Sequence, residues 1–515
     1  MKLLRSTAIV SIMTTISRFM GLARDIIFAH VFGANAGTDA FFVAFKIPNF
    51  LRRLFAEGAF AQSFVPVFSE YKETRSRTAL IDLLDHVAGS LGGVLLLITT
   101  LCVAAAPLVV MVFAPGFIDE ADRFSLTTDM LRITFPYIFF ISLVAFSGGI
   151  LNSFNQFAVP AFTPVFLNIC LIGAALWAAP LFDRPVIALA WGVALAGFTQ
   201  LAFQIPFLLR LGLLPRPRLK RDHEGVKQIS KLMLPAIIGS SVAQINLLLD
   251  TVIASFLMAG SVSWLYFSDR LVEFPLGVFG IALATVILPS LSKQHANKSS
   301  EDFNRTLDWA LRLVMLIAAP AALGLLLLSQ PILATLFQYG EFTLHDSYMS
   351  SLSLMAYALG LPAFIIIKVL APAFYARQDT KTPMKIAVKA MIANMGLNIL
   401  FVVPMVYYTY EAPHVGLALA TTASAYLNAA LLLFALRRQQ IYQPLRGWWR
   451  LTLQLILANS LLAGFLLYWS PALEIWSNWS LQERLFQLLI SIVIAATVYL
   501  ISLLLSGLRP AQLKH

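Results

Sequence analysis

The stretch Ser17–Pro66 decides the fold, and it reads SRFMGLARDIIFAHVFGANAGTDAFFVAFKIPNFLRRLFAEGAFAQSFVP. It is apolar enough to lie in a bilayer, yet it contains charged side chains: Arg18, Arg24, Asp25, Asp39, Lys46, Arg52, Arg53 and Glu57. A charge at membrane depth costs at least about 2.5–3.5 kcal/mol, so several charges in two consecutive spans need a physical reason. The economical reason is a water-filled cavity lined by cations that receives an anionic ligand.

The composition of the whole chain indicates a polytopic membrane protein. Of its 515 residues, 59% are hydrophobic and 12% are charged, whereas soluble domains carry about 25% charged residues. The net charge of +11 is explained by basic cytoplasmic loops, so no nucleic-acid partner is predicted. Cys102 and Cys170 both lie in apolar runs and are interpreted as core residues.

Enzyme signatures are absent from the sequence. It contains no phosphate-binding loop, no Cys or His cluster at metal-ligand spacing and no nucleophile elbow. We therefore predict a transporter that is not an enzyme, with no cofactor and no certain metal.

Hydropathy predicts an all-α fold of about fourteen transmembrane helices, each with about 20 apolar residues. The predicted spans are 6–33, 38–70, 84–113, 127–152, 158–180, 185–209, 230–257, 262–292, 306–337, 347–375, 384–408, 413–436, 448–469 and 483–507.

The charges of the loops predict the orientation. Lys and Arg collect in alternate loops, namely 71–83, 210–229, 293–305, 376–383 and 437–447, while the intervening loops 114–126, 338–346 and 470–482 are poor in them. The positive-inside rule then places both termini in the cytoplasm.

Internal repetition predicts the domain organisation. The second span ends SFVPVFSEYK (63–72) and the eighth ends TVILPSLSKQ (285–294), which suggests a parallel duplication. We predict one six-helix bundle over 1–209, a basic linker over 210–229, a second six-helix bundle over 230–436, and two additional helices with a short tail over 437–515.

Helix geometry groups the charges of the first two spans. Arg18 and Asp25 are seven residues apart and share a face, whereas Arg24 lies off that face. In the second span Asp39, Lys46 and Arg53 repeat every seven residues, with Asn49 near the same stripe. Pro48 should kink this helix and shift its phase, so the pattern does not decide whether Arg52 or Arg53 faces the cavity.

The second half offers a matching helix that contains SDRLVEFPLG (268–277). Arg270 and Glu273 are three residues apart and can pair, and Pro275 follows the charges. The structural alternative is that the charges only pair with one another: Arg18 with Asp25, Arg53 with Glu57, and Arg270 with Glu273. Arginine's fork matches phosphate oxygens, so the functional alternative is a pyrophosphate head group.

A second set of polar residues contains fewer charges. Asp250 lies in the seventh span, Asn394 and Asn398 in the eleventh, and Thr421 in the twelfth. Carboxylate, amide and hydroxyl oxygens suit a small cation such as sodium. Hydrogen bonding between helices is the alternative.

Five segments carry a family resemblance: SRFMGLARD (17–25), TDAFFVAFKIPNFLRRLFAEGAFAQSFVP (38–66), GSVSWLYFSDRLVEFPLGVFGIALATVILPSLSK (260–293), LFQYGEFT (336–343) and KVLAPAFYARQDTKTPMKIA (368–387). The sequence resembles the MurJ (MviN) lipid II flippases of bacterial peptidoglycan synthesis, within the MOP exporter superfamily. The resemblance implies two six-helix bundles in a V and two extra helices that form a groove for a lipid tail.

The resemblance also implies roles for individual residues. The head group of lipid II would be engaged by Arg18, Arg24, Arg52 and Arg270, with Asp39, Ser263 and Glu273 as further cavity-side positions. Lys46, Asn49 and Arg53 join the substrate-binding set on their position in the second span. The cluster of Asp250, Asn394, Asn398 and Thr421 fits a cation site proposed in some relatives.

The functional hypothesis is a flippase that moves lipid II from the cytoplasmic to the periplasmic leaflet of the inner membrane by alternating access. Na⁺, H⁺ or the membrane potential would reset the cycle, and membrane lipids and the cell-wall synthesis machinery are expected partners. The alternatives are a cation-coupled drug or polysaccharide-lipid exporter of the same superfamily, or a membrane glycosyltransferase. A drug antiporter predicts an acidic cavity, and a glycosyltransferase predicts a catalytic carboxylate on a sizeable loop.

Overall fold

The computed structural model describes residues 2–54, 60–219, 223–471 and 473–508. The regular secondary structure of these residues is helical, and it includes no β-strand. The all-α prediction is confirmed. The chain divides into two compact units, Met1–Ser263 and Trp264–His515.

The first unit contains eleven α-helices within its described residues and the start of a twelfth. They are α1 (Lys2–Phe32), α2 (Ala36–Leu51), α3 (Ala61–Thr74), α4 (Arg77–Ala104), α5 (Ala106–Phe113), α6 (Ala121–Thr134), α7 (Tyr137–Ser153), α8 (Ala158–Phe162), α9 (Pro164–Gly173), α10 (Ile187–Leu211), α11 (Glu224–Ser255) and α12 (Ser261–Pro275).

The second unit holds the remainder of α12 and the helices that follow it. They are α13 (Ile281–Ala296), α14 (Ser300–Leu327), α15 (Ser329–Leu336), α16 (Leu344–Tyr375), α17 (Lys381–Tyr407), α18 (Val415–Arg438), α19 (Trp448–Trp469), α20 (Leu473–Asn478) and α21 (Leu481–Leu505).

Ten helical segments in the described residues are long and apolar enough to cross a membrane. They coincide with ten of the predicted spans, and the chain is a multi-pass membrane protein. The other four predicted spans, 6–33, 38–70, 230–257 and 262–292, are occupied by α1, α2 with α3, α11, and α12 with α13. These four segments contain the charged residues that the sequence analysis places at membrane depth. The count of fourteen, the V and the domain boundaries stay predictions.

Each unit has its own apolar core. In the first unit α3 packs on α7 through aromatic contacts, in which Phe64 is stacked with Phe60 and lies edge-on to Phe146. In the second unit α19 and α21 pack on each other and on α14, and their core includes Leu462, which is 3% exposed. The two helices predicted to lie outside the duplication are therefore attached to the second unit.

Proline interrupts the helices at the two places where the sequence predicted a break. Pro275 ends α12, and a π-helical turn, Leu276–Gly280, follows before α13 begins. Pro48 lies inside α2, and residues 52–54 continue the helix in the wider π geometry. A proline has no N–H and clashes with the preceding turn, so such local changes are its expected consequence.

The break at Pro48 is repaired by a side chain from another helix. Pro48 cannot donate to the carbonyl oxygen of Ala44, four residues earlier. The hydroxyl of Thr134 in α6 donates to that oxygen instead, at 2.9 Å, and Thr134 is fully buried. The freed carbonyl is therefore satisfied away from water, as helices in a membrane require.

Replacing Thr134 by valine should destabilise the protein by about 1 kcal/mol, because the Ala44 carbonyl oxygen loses its donor in a buried site. Thermal unfolding of the purified protein in detergent measures the effect. Thr128→Val is the matched control, since the Thr128 hydroxyl bonds to the carbonyl of Phe124 in its own helix. Equal stabilities of the two variants would contradict the repair of the Pro48 break by Thr134.

Candidate functional site

The carboxylate of Asp39 in the first unit is fully buried and bonded on both oxygens. One oxygen, Oδ2, accepts from Nη2 of Arg123 at 2.6 Å and from the backbone N–H of Gly260 at 2.7 Å. The other, Oδ1, accepts from the backbone N–H and the hydroxyl of Ser263, at 2.8 and 2.6 Å. The carboxylate therefore has a partner on each oxygen, which a buried charge requires.

Local backbone geometry explains how two N–H groups reach one carboxylate. Gly260 adopts φ +96°, a left-handed conformation that favours glycine, immediately before α12 begins. The N–H of Gly260 lies just before the first turn of that helix and the N–H of Ser263 lies within it, where N–H groups lack an acceptor in their own helix. A carboxylate at a helix N-terminus also interacts favourably with the helix dipole.

Arg24 forms a second buried network in the same unit. Its Nε and Nη2 donate to Oδ1 of Asp25 at 2.9 and 2.7 Å, and its Nη1 donates to Oδ1 of Asn168 at 3.1 Å. Asn168 lies in α9 and donates in turn to the carbonyl of Ser17. The structural alternative paired Asp25 with Arg18, but Asp25 is bonded to Arg24, so that predicted pair is wrong.

Arg18 differs from Arg24 in its surroundings. It is exposed on α1, and within the described residues it makes no ion pair. Because a guanidinium keeps its charge, this side chain presents a cation that the first unit leaves available.

The remaining cations of the second predicted span are half-buried. Arg52 donates from Nε to the side-chain oxygen of Asn49 at 2.9 Å. Lys46 and Arg53 lie on the same stretch and are also half-buried. Glu57, the predicted partner of Arg53, lies outside the described residues.

Arg270 is the corresponding cation of the second unit. Its Nη1 donates to Oε2 of Glu273 at 2.7 Å, and its guanidinium lies 5.0 Å from the ring centre of Tyr266. The side chains of Arg270 and Glu273 are 34% and 45% exposed. The predicted pairing is therefore present, but it leaves both groups accessible.

The candidate cation cluster is divided between the two units. Asn394 and Asn398 are buried in α17, which packs on α18, the helix that holds Thr421. The Thr421 hydroxyl oxygen is buried and makes no hydrogen bond to any described residue. Asp250 lies in α11 of the first unit and is half-buried.

A family model described as "Lipid II flippase MurJ" matches residues 28–490. A relative from Haemophilus influenzae, named probable lipid II flippase MurJ, is 46% identical over 97% of this chain and 99% of its own. The chain belongs to the MurJ family of lipid II flippases. Another family member, the lipid II flippase MurJ of Burkholderia cenocepacia, is 42% identical over 100% of this chain and 99% of its own.

Solved structures agree with the family assignment. The inward closed conformation of a lipid II flippase MurJ matches with a TM-score of 0.80 at 29% identity, covering 96% of this chain and 97% of that one. An inward-facing multidrug MATE transporter of the MOP superfamily matches with a TM-score of 0.66 at 15% identity, covering 82% and 94%. The second likeness shows the fold alone, and the MurJ reading is supported over the drug-exporter alternative.

Two buried partners in this MurJ family member were missed in the sequence. Arg123 lies in the loop 114–126, which was described only as poor in Lys and Arg, but it is 2% exposed and is paired with Asp39. Asn168 was not considered, although an asparagine in the apolar run LNICLIG is a polar residue that needs a partner.

Asp39→Asn should lower the free energy of unfolding by up to about 3–5 kcal/mol, because the Arg123 guanidinium loses its buried counter-charge and keeps only the half-exposed Glu120, at 3.1 Å. Denaturation of the detergent-solubilised protein measures this effect. The double variant Asp39→Asn with Arg123→Met should recover part of the loss.

The matched control is Asp129→Asn, which breaks the exposed pair with Arg132 on α6. Its effect should stay within about 1 kcal/mol. If the double variant is as unstable as the sum of its single variants, the two side chains are not coupled.

Proposed function

We propose that this chain moves lipid II from the cytoplasmic to the periplasmic leaflet of the bacterial inner membrane, with both termini in the cytoplasm. The observation that carries the proposal is the family match, which spans residues 28–490. The charged helices are consistent with it, since lipid II combines an anionic diphosphate head group with an apolar polyprenyl tail. Transport of this substrate requires no covalent step.

The exposure of each arginine side chain suggests whether it can bind the substrate. Arg18 is exposed and Arg270 is half-exposed, so both can exchange their present surroundings for phosphate oxygens. Arg52 is half-buried and joins them as a further ligand. Arg24, which is 6% exposed, is neutralised by its pair with Asp25 and would have to break that pair to bind the diphosphate.

Alternating access supplies the movement. The helices that carry Arg52 and Arg270 are interrupted near Pro48 and Pro275, and helix breaks are sites where rotation needs little loss of hydrogen bonding. We propose these two breaks as hinges. Membrane lipids would surround the polyprenyl tail during the step, and cell-wall synthesis enzymes would consume the product.

The coupling energy comes from a monovalent cation or from the membrane potential. Na⁺ is the better candidate for the oxygen ligands offered by Asn394, Asn398 and Thr421 in the second unit. The buried Thr421 hydroxyl, which lacks a hydrogen bond within the described part of the chain, supports this choice. H⁺ coupling would act through Asp250 alone.

Arg18→Ala and Arg270→Ala should each reduce transport at least about tenfold, because a diphosphate would lose one charge-assisted bidentate contact. Lysine at either position should restore it only in part, since an ammonium lacks the fork. The assay is complementation of cells depleted of their own flippase, with lipid II on the outer face as the readout.

Arg132→Ala is the matched control. Like Arg270 with Glu273, Arg132 pairs with an acidic residue three positions away, Asp129, and is half-exposed. It should complement fully, and immunoblotting should show equal amounts of all variants. Full rescue by both alanine variants would reject these arginines as ligands, whereas failure of the unmodified chain to rescue would reject the substrate.

Thr421→Val should weaken any Na⁺ dependence of transport without lowering stability, because its hydroxyl has no hydrogen bond to lose among the described residues. Thr422→Val should do the reverse, since the Thr422 hydroxyl donates to the carbonyl of Ala356 at 2.8 Å. The measurements are transport at varied Na⁺ and thermal unfolding. Unchanged Na⁺ dependence in Thr421→Val would exclude this cluster as the coupling site.

A further inference from the structure

Three potential metal ligands meet where α4 approaches the start of α11. Asp82 and His86 are four residues apart on α4 and therefore share a helix face. His223 immediately precedes α11. Each residue offers one ligand atom, and these atoms all lie within 4.8 Å of one another. The sequence showed no such spacing because His223 is distant from the other two along the chain.

The distances are close to those of a coordination sphere. Nε2 of His223 lies 3.3 Å from Oδ2 of Asp82. Metal–ligand bonds of 2.0–2.1 Å put neighbouring ligand atoms of a tetrahedron roughly 3.3 Å apart. The rings of His86 and His223 are stacked with their centres 4.8 Å apart. Rotation of the stacked rings would bring the three ligand atoms onto one ion.

His86 has the kind of hydrogen bond that metal-ligating histidines make, and the same nitrogen, Nδ1, also lies 3.4 Å from Oδ1 of Asp82. Its Nδ1 lies 2.8 Å from the backbone carbonyl oxygen of Asp82. A proton on Nδ1 would be donated to that carbonyl, which leaves the Nε2 lone pair for a metal. Ligating histidines almost always make such a hydrogen bond through the other ring nitrogen.

Burial shields the imidazoles but leaves an entry route. The side chains of His86 and His223 are 8% and 12% exposed, whereas that of Asp82 is 47% exposed. Among the described residues, Arg218 competes for the Asp82 carboxylate, with its Nη1 3.9 Å away and its side chain 60% exposed. Arg218 also has Asp85, at 3.5 Å, as a second acidic partner. An arriving dication can therefore displace Arg218 without leaving it unpaired.

We propose that Asp82, His86 and His223 bind a divalent transition-metal ion of the Zn²⁺ type, with water in the fourth position. Two imidazoles and one carboxylate favour zinc over calcium or magnesium, which prefer oxygen ligands alone. The site belongs to the side of the membrane that the loop charges predict to be cytoplasmic.

The bound ion would fasten the linker that precedes α11 onto α4. That linker is already hydrogen-bonded there, since the N–H groups of Arg216 and Arg218 donate to the side chain and the carbonyl of Asp85 at 2.7 and 2.9 Å. Gly89 on the next turn of α4 lies against the Arg218 backbone, so closely that a Cβ would be 2.2 Å from its carbonyl oxygen. The metal would close the end of this contact and restrict movement of α11 relative to α4.

The test uses the purified full-length protein in detergent after chelation of metals. Titration with ZnCl₂ in a calorimeter should show one site per chain, and CoCl₂ should give the visible absorption of a tetrahedral ion. The double variant His86→Gln with His223→Gln should weaken Zn²⁺ binding by more than the roughly 10–100-fold that loss of a mere outer-shell partner costs. Glutamine keeps these sites polar, and gel filtration verifies folding.

His345→Ala is the matched control, because His345 also neighbours a carboxylate, that of Glu411, but has no third metal ligand beside it among the residues that the structure describes. It should bind Zn²⁺ like the unmodified chain, and Zn²⁺ should raise the unfolding temperature of both but not of the double variant. Equal Zn²⁺ affinity of the double variant and the unmodified chain would overturn the proposal. So would a double variant that is destabilised equally with and without Zn²⁺. Neither outcome bears on lipid II transport, which is assayed separately.

Discussion

The first unit depends on the neutralisation of one buried carboxylate. Asp39 on α2 is bonded to Arg123 on α6 and to Gly260 and Ser263 at the start of α12, so one charge fixes three helices. Burial of an ion is tolerated only when every oxygen is satisfied, and loss of any one partner exposes the cost of the others. The hydrogen bonds of this buried network therefore strengthen one another.

Backbone hydrogen bonds are subject to the same constraint. Pro48 frees a carbonyl in α2 that the Thr134 hydroxyl satisfies, and Pro320 frees that of Leu316 in α14, which accepts from the Tyr499 hydroxyl at 2.8 Å. In both cases a different helix supplies the missing donor. Proline in a membrane helix thus requires a hydrogen-bond donor from a neighbouring helix.

Local pattern predicted much of the fold but few of the contacts. Hydropathy located ten spans and proline located the two breaks, because both are properties of a short window. Helix phase wrongly favoured Arg18 as the partner of Asp25, since it ignores the reach of a guanidinium from an adjacent position. The sequence did not predict Arg123 as the partner of Asp39, because the two residues are far apart along the chain. The sequence did not predict that His223 lies beside Asp82 and His86, because His223 is also far from them along the chain.

The helices that are too polar to qualify as ordinary spans are also the ones that carry the candidate substrate ligands. Every charge in them must be satisfied by protein, by water or by a ligand. The structure shows which charges have protein partners and which side chains are exposed. Asp39 and Arg24 are satisfied by protein and are therefore structural in this conformation. Arg18 is exposed, and Arg270 keeps a third of its side chain accessible beside Glu273. Accessibility, more than the presence of charge at membrane depth, separates the arginines that hold the protein together from those that can hold an anionic head group.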